Sequence, residues 1–581
     1  MSSSPAAALT TGAIIASAAA TVAVGSYGLR LSRTTSDFLV ASRTVPPHLN
    51  AAAISGEYLS AASFLGVAGL IAKYGADAMW YPVGFAAGYL GLLLFVAAPL
   101  RRSGAYTVPD FAEFRLGSRR LRQVTMIVVI TICALYLVPQ YQGAGLTLKT
   151  LLGVPSWVGP VAVATIVIAN VVAGGMRSIT FVQAFQYWLK LTAIAIPALV
   201  LLSVSGSDRD ELGGPLPPVV TQQTTITIDT NVVVEVSDPA GVTVAGFADG
   251  RPTPGIPLPG PGRHTLPADS IVMVAAGAHT PVVVGAPASG AEWIRSGGGF
   301  GGGHPLYQVL SIILATFLGA MGLPHVLVRF YTNPDGRAAR RTALAVIALL
   351  SLFYLFPTLL GVLSRLYVPE LLITGKADAA ILLLPTAAIA GLPGEVLAAL
   401  VAAGAVAAFL ATSSGLLVGI AGAVSTDLLR GRVRDFRMAA VVGGLIPIPL
   451  ALASSSFELS RGVGLVFAVA ASTLCPLLVL GIWWRGLTAA GAVAGLAVGA
   501  MSSAIATLLT VTRWVSEELL GGWPATVVGY PAAVTVPLAF ATMVVVSRIT
   551  RSAVPSDVSR VFARMHLPER LGMGIERLPR G

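Results

Sequence analysis

The chain has 581 residues, 55% of them hydrophobic and only 11% charged, against roughly 25% charged in soluble domains. Apolar runs of about 20 residues recur along it, which places it among polytopic membrane proteins and excludes a soluble globular fold. A formal charge of +11 would suggest nucleic acid in a soluble protein; here basic cytoplasmic loops account for it, and no nucleic-acid partner is expected.

Thirteen spans are predicted, at about 6–29, 49–72, 78–99, 124–147, 157–175, 181–203, 305–327, 343–366, 393–427, 438–456, 463–484, 488–510 and 528–547. The first lacks a basic n-region and reads as a retained span, not a cleaved signal. Alternate loops hold most of the lysine and arginine: Arg30–Arg43, Arg101–Arg122, Arg177, Arg329–Arg341, Arg430–Arg437, Arg485 and the tail. The other loops carry scattered Lys73, Lys149, Lys376 and Arg513. The positive-inside rule then sets the N-terminus outside and the C-terminus in the cytoplasm, in a plasma-membrane protein. Cys133 and Cys475 lie inside apolar runs, so neither a disulfide framework nor a thiol-ligated metal is expected.

The predicted organisation is residues 1–203 with spans 1–6, an extracellular insert at 204–304, residues 305–547 with spans 7–13, and a basic cytoplasmic tail at 548–581. The insert is rich in Pro, Gly, Thr and Val. Its alternating runs TTITIDTNVVVEV (224–236) and DSIVMVAAG (269–277) predict strands between Gly/Pro turns. Its exit, SGGGFGGGH (296–304), reads as a flexible linker. The basic tail is expected to lie along the anionic inner leaflet of the bilayer.

Residues 56–66, GEYLSAASFLG, put Glu57 and two serines, Ser60 and Ser63, inside an apolar span. A charged side chain at bilayer depth marks a solute or ion path. Glycines and hydroxyl residues also suit a helix interrupted at mid-membrane. The seventh span has a second break in GAMGLPHVLVRFYT (319–332), where Gly319, Gly322 and Pro324 weaken the helix ahead of His325. Two broken spans five helices apart are what inverted five-helix repeats predict, here spans 2–6 and 7–11, with the binding site where the breaks meet.

SDFLVASRTV (36–45), GEYLSAASFLG, GGMRSITFVQAFQ (174–186), GLPHVLVRFYTNPDGRAARR (322–341), ATSSGLLVGIAGAVSTDLL (411–429) and WWRGLTAAGAVAG (483–495) together resemble the sodium/solute symporter family. Within it, the chain looks like the cation/acetate (monocarboxylate) symporters. The resemblance implies an all-α polytopic membrane protein with a LeuT-like inverted repeat. It also implies a cation site made by backbone carbonyls of Gly56, Leu59 and Ala408 and by side chains at Ala411 and Thr412. Carbonyls from an unwound turn suit a hard cation such as Na⁺. Alanine at 411, where many relatives have serine, weakens or alters that site.

Lys190 lies about nine residues into the sixth span, roughly 14 Å from its end, too deep for its stem of about 6 Å to snorkel out. Two readings are open. Lys190 pairs with a carboxylate such as Glu57 or is wetted by a cavity, or its ammonium occupies or neighbours the weakened sodium site, which would make coupling proton-driven. On the substrate side, free N–H groups at the half-helix ends with Ser60 and Ser63 would hold a small carboxylate. Tyr58, Phe64 and Gln140, with Gly319, Gly322 and His325, would shape the pocket.

The expected function is therefore secondary symport of acetate or a related short monocarboxylate on a Na⁺ or H⁺ gradient. It needs no cofactor beyond the coupling ion and no partner beyond solute, cation and lipid bilayer. Symport of another small solute (pyruvate, propionate, an amino acid or a sugar) is the alternative within transport, and a transporter-like sensor the alternative outside it. No enzyme site is read: the sequence has no paired Cys/His ligands, P-loop glycines or HExxH helix.

Overall fold

The computed structural model describes residues 5–29, 44–206, 212–228, 231–258, 260–301, 303–374, 377–429, 432–454, 458–512 and 522–568. Most of SDFLVASRTV, with Arg30, Arg33 and Arg43, and also Lys376, Arg430 and Arg513, lies outside them. Among the described residues, eleven continuous helical stretches are long and apolar enough to cross a membrane. Two of them, Ala62–Arg102 and Val158–Val204, each run through a break and hold two crossings, which gives the thirteen spans expected.

The breaks have local causes. Span 2 is helical over Pro47–Tyr58, leaves the helix at Leu59 (φ −74°, ψ 89°), and resumes through a π turn at Ala62–Gly66 into Val67–Tyr74. Span 7 runs Pro305–Gly322 and Pro324–Phe330, interrupted at Leu323 (ψ 114°). A following proline disfavours helical torsions at Leu323, while Pro324 itself is at home in the first turn of the second half. Spans 5 and 6 divide at Gly175, whose φ of 58° only glycine adopts at low strain. Span 9 (Leu392–Ala423, continued by a π turn to Leu428) and span 11 (Leu459–Ser472 and Leu474–Trp483) are almost wholly enclosed by other helices, whereas span 1 (Pro5–Leu29) is mostly peripheral.

The insert holds seven described strands, all paired antiparallel. β1 (Thr224–Thr227), β6 (Ile271–Val274), β3 (Val242–Ala248) and β4 (Arg251–Pro257) form one sheet in that order. β5 (Gly262–Leu266), β2 (Val232–Val236) and β7 (Val282–Val283) form the other. Alternation in β2 buries Val232, Val234 and Val236 against Val242, Val244, Leu266 and Val272, a small core separate from that of the helices. The glycine-rich exit departs from the flexible linker read from composition. Gly297 N and Gly299 N donate to the Asp77 carboxylate at 2.9 and 2.7 Å, which fastens it to the turn between spans 2 and 3.

The described part of the tail adds one more helix. The helix Val558–His566 buries Val561, Phe562 and Met565 against the protein, with the Arg115 guanidinium 4.9 Å from the Phe562 ring. Its apolar face is thus spent on the ends of neighbouring helices and is not free for lipid.

Candidate functional site

Span 6 presents Thr180, Gln183, Tyr187 and Lys190 at helical spacing, one stripe aimed at the broken span 2. Gly56 lets the two helices approach, since a Cβ there would overlap the Gln183 carbonyl. Lys190 is fully buried. Its Nζ donates to the carbonyl of Leu59 at 2.7 Å and, more closely, to that of Gly56, the two acceptors at the break.

The carboxylate of Glu57 takes a different partner from the one suggested by sequence. Arg329, in the last turn of span 7, donates Nε to Glu57 Oε2 at 2.6 Å, Nη1 to Thr180 Oγ1 at 2.7 Å and Nη2 to Gln183 Oε1. Asn50 Nδ2 donates to the Arg329 carbonyl at 3.1 Å. This network ties spans 2, 6 and 7 on the basic-loop side of the break. A Cβ at Gly415 of span 9 would overlap the Glu57 carboxylate, so the fit is tight on that flank as well.

Of the residues implied as cation ligands, the structure gathers most and engages several with protein. Thr412 Oγ1 donates to the Glu57 carbonyl at 2.6 Å, and the carbonyl of Ala411 accepts from Gln183 Nε2 at 2.8 Å. Ala408 is buried on the same helix. Among the described residues there is no group of three or more His, Cys, Asp or Glu that could hold a metal ion.

On the other side of the break lies an aromatic cluster. Tyr58 meets Tyr89 at 4.8 Å and Phe467 at 6.1 Å, and Tyr136 meets Phe467 at 6.0 Å and His325 at 5.4 Å, all nearly edge-on. Tyr58 OH donates to the Phe85 carbonyl at 2.9 Å. Ser60 Oγ, Tyr89 OH and both ring nitrogens of His325 are buried with no hydrogen-bond partner, which is costly unless something else satisfies them. Ser63 is bonded to Tyr354 OH at 2.9 Å, and Gln140 Oε1 accepts Ala61 N at 2.9 Å, capping the resumed helix. Phe64 packs on Phe353, and Gly319 and Gly322 allow close approach to the backbone of span 11. Two recesses flank the cluster. Each is small, about 20 Å³: one is lined by Tyr106, Pro324 and Gly419, the other by Tyr81, Thr316 and Arg461.

Arg329, Tyr89, Tyr136 and Tyr354 are the residues sequence reasoning missed. Arg329 was hidden in an arginine-rich loop motif, and the tyrosines look like ordinary apolar-face residues until the helices are packed.

Two discontinuous spans, five helices apart and facing a buried polar core, define a membrane protein of the LeuT-like inverted-repeat fold. Comparison with known proteins narrows this. The family model "Sodium:solute symporter family" matches residues 38–223 and 286–499, so the chain belongs to that family. Strands β1–β7 fall in the gap between the two matched segments. Over 576 residues the chain is 29% identical to a "Monocarboxylic acid transporter" of Corynebacterium glutamicum, covering 94% of this chain and 93% of that one. Over 533 residues it is 28% identical to the "Uncharacterized symporter YwcA" of Bacillus subtilis, covering 90% of each. Among solved structures, a substrate-bound, outward-open Na⁺-coupled sialic acid symporter superposes with a TM-score of 0.61 at 14% identity. That match covers 92% of this chain and 98% of that one, a likeness of fold alone.

Proposed function

We propose that this symporter imports acetate or a related short-chain monocarboxylate, driven by a Na⁺ or H⁺ gradient. The observation that carries the reading is the closed aromatic cluster at the break, with its unpartnered Ser60 and Tyr89 hydroxyls and His325 ring. Buried hydroxyl donors enclosed by aromatic rings suit a compact carboxylate, whose oxygens accept two or more hydrogen bonds. A bulkier solute would have to displace Tyr58 and Phe467, which already hold each other edge-on. The name of the Corynebacterium relative supports the same solute class. In this reading the basic loops are cytoplasmic, and the insert and N-terminus face outside.

The test is labelled acetate uptake into proteoliposomes with Na⁺ and H⁺ gradients imposed separately. Protein-free liposomes serve as the blank, and propionate, pyruvate, an amino acid and a sugar as competitors. Saturable uptake under one of the gradients, competed by the other short monocarboxylates, is expected. No uptake above the blank under either gradient would refute it.

A further inference from the structure

We infer that Lys190 is a tethered cation that takes the place of Na⁺ at the junction of spans 2 and 9, so that this site does not bind sodium in this chain. The inference rests on the chain being a cation-coupled symporter, and concerns only which cation sits at this one site. Four observations converge. The carbonyls of Gly56 and Leu59, the two acceptors at the break of span 2, are both taken by Lys190 Nζ. The side chain that would add an oxygen from span 9 is Ala411, which has none, and its carbonyl accepts from Gln183 at 2.8 Å. The remaining hydroxyl, on Thr412, gives its proton to the Glu57 carbonyl at 2.6 Å. Lys190 is also fully buried, and the nearest carboxylate, on Glu57, is held by Arg329 instead.

An ammonium and a sodium ion carry the same single charge and seek the same oxygen acceptors. One bound at the two carbonyls therefore leaves no place for the other: a sodium ion would share its ligands with the ammonium and meet its full charge at contact distance. The loss of the oxygen at 411 fits this exchange. Two carbonyls suffice for an ammonium, which donates at most three hydrogen bonds, whereas a sodium ion needs a fuller oxygen shell. The geometry of Gly56 belongs to the same device, because close packing of spans 2 and 6 is what brings the lysine stem to the break.

The test needs no transported solute. Melting of the purified, detergent-solubilised full chain is followed with NaCl exchanged for choline chloride at constant ionic strength. In wild type, any Na⁺-specific shift should arise elsewhere and stay unchanged by Ala411→Ser alone. In Lys190→Ala combined with Ala411→Ser, which frees both carbonyls and restores the oxygen, added Na⁺ is expected to raise the midpoint by a few degrees, with a saturating dependence. Lys190→Met, which fills the space without a charge, controls for packing and should stay insensitive. A saturable Na⁺-specific shift in wild type that Ala411→Ser alone strengthens would overturn the inference. So would a double variant that folds, by its elution profile, yet ignores Na⁺. Failure of acetate uptake would count against the proposed solute only, since this readout is independent of it.

Discussion

The buried Arg329–Glu57 pair permits a worked prediction. Both side chains are only 1% exposed, and the guanidinium makes three hydrogen bonds, to Glu57, Thr180 and Gln183. Removing the arginine leaves a buried carboxylate with its cation gone, which costs about 3–5 kcal/mol in comparable pairs. Glu57→Gln is milder. The guanidinium keeps Thr180 and Gln183, and one charge-assisted bond is weakened, for about 1.5–3 kcal/mol. In the double variant Arg329→Met/Glu57→Gln the stranded carboxylate no longer exists, so it should be more stable than Arg329→Met alone. The coupling between the two sites should then be about 2 kcal/mol or more. Thermal denaturation of the four proteins, followed by the fraction still eluting as a folded peak, gives the ranking: wild type, then Glu57→Gln, then the double variant, with Arg329→Met last. Additive losses, with the double variant the least stable of the four, would refute the assignment of Arg329 as the counter-charge.

Gly415→Ala should destabilise by about 1–3 kcal/mol or more, because its methyl would overlap the Glu57 carboxylate. Gly422→Ala, with nothing within 4 Å of the new Cβ, should be neutral or slightly stabilising in the same melting assay. Thr412→Val keeps the side-chain shape and removes the 2.6 Å bond to the Glu57 carbonyl; a loss of about 1 kcal/mol is expected. In the insert, burial disfavours the charged form of both His264 and Asp249. Their mutual hydrogen bond, helped by Gly260 O and Thr265 N, outweighs it, lifting the ring above its ordinary value and holding the carboxyl below its own. The histidine contribution is full below its ordinary 6.5 and fades as pH rises through the lifted value. The aspartate contribution is full above its ordinary 3.8 and fades as pH falls through the depressed one. Protection of β5 amides, as exchange rates divided by the intrinsic rate at each pH, should therefore be greatest between those limits, by less than about 1 kcal/mol given the exposure of Asp249, and His264→Ala should flatten the profile.

Much of this architecture was legible in the chain. The break in span 2 showed as polar residues inside an apolar run. The depth of Lys190 followed from counting along a helix, and the thirteen crossings from recurring apolar runs. What sequence did not carry was the choice of partner. Glu57 and Lys190 are both buried and opposite in charge, so pairing them is the natural expectation. Which of them meets Arg329 depends on the register of spans 2, 6 and 7 against one another, and no local pattern encodes it. Arg329 sits in a loop motif full of arginines, where topology explains each of them equally well. The exit of the insert misled for a similar reason. Glycines suggest freedom, yet positive φ values at Gly297 and Gly299 turn their N–H groups toward Asp77, some 220 positions away in the chain.

The two ends of the insert also meet: Ala291 N donates to the Gly214 carbonyl at 3.0 Å, and Gly290 lies against Leu212. Beyond that point Trp293 bonds to the Ile71 carbonyl at 2.8 Å, and just before it the carbonyls of Pro287 and Ala288 accept from Arg365. The two legs of the insert thus touch where they leave the helices, and Ile373, in the turn after span 8, packs into the strand core from below. That makes residues 214 and 291 a natural splice point. Joining them by a short glycine bridge would excise the strands while keeping the Trp293 and Asp77 anchors, at the cost of the Pro287 and Ala288 carbonyls that hold Arg365 and of the cover over Ile373. The same point would accept a foreign folded module as a handle for microscopy or capture, held on the side of the protein away from the basic loops.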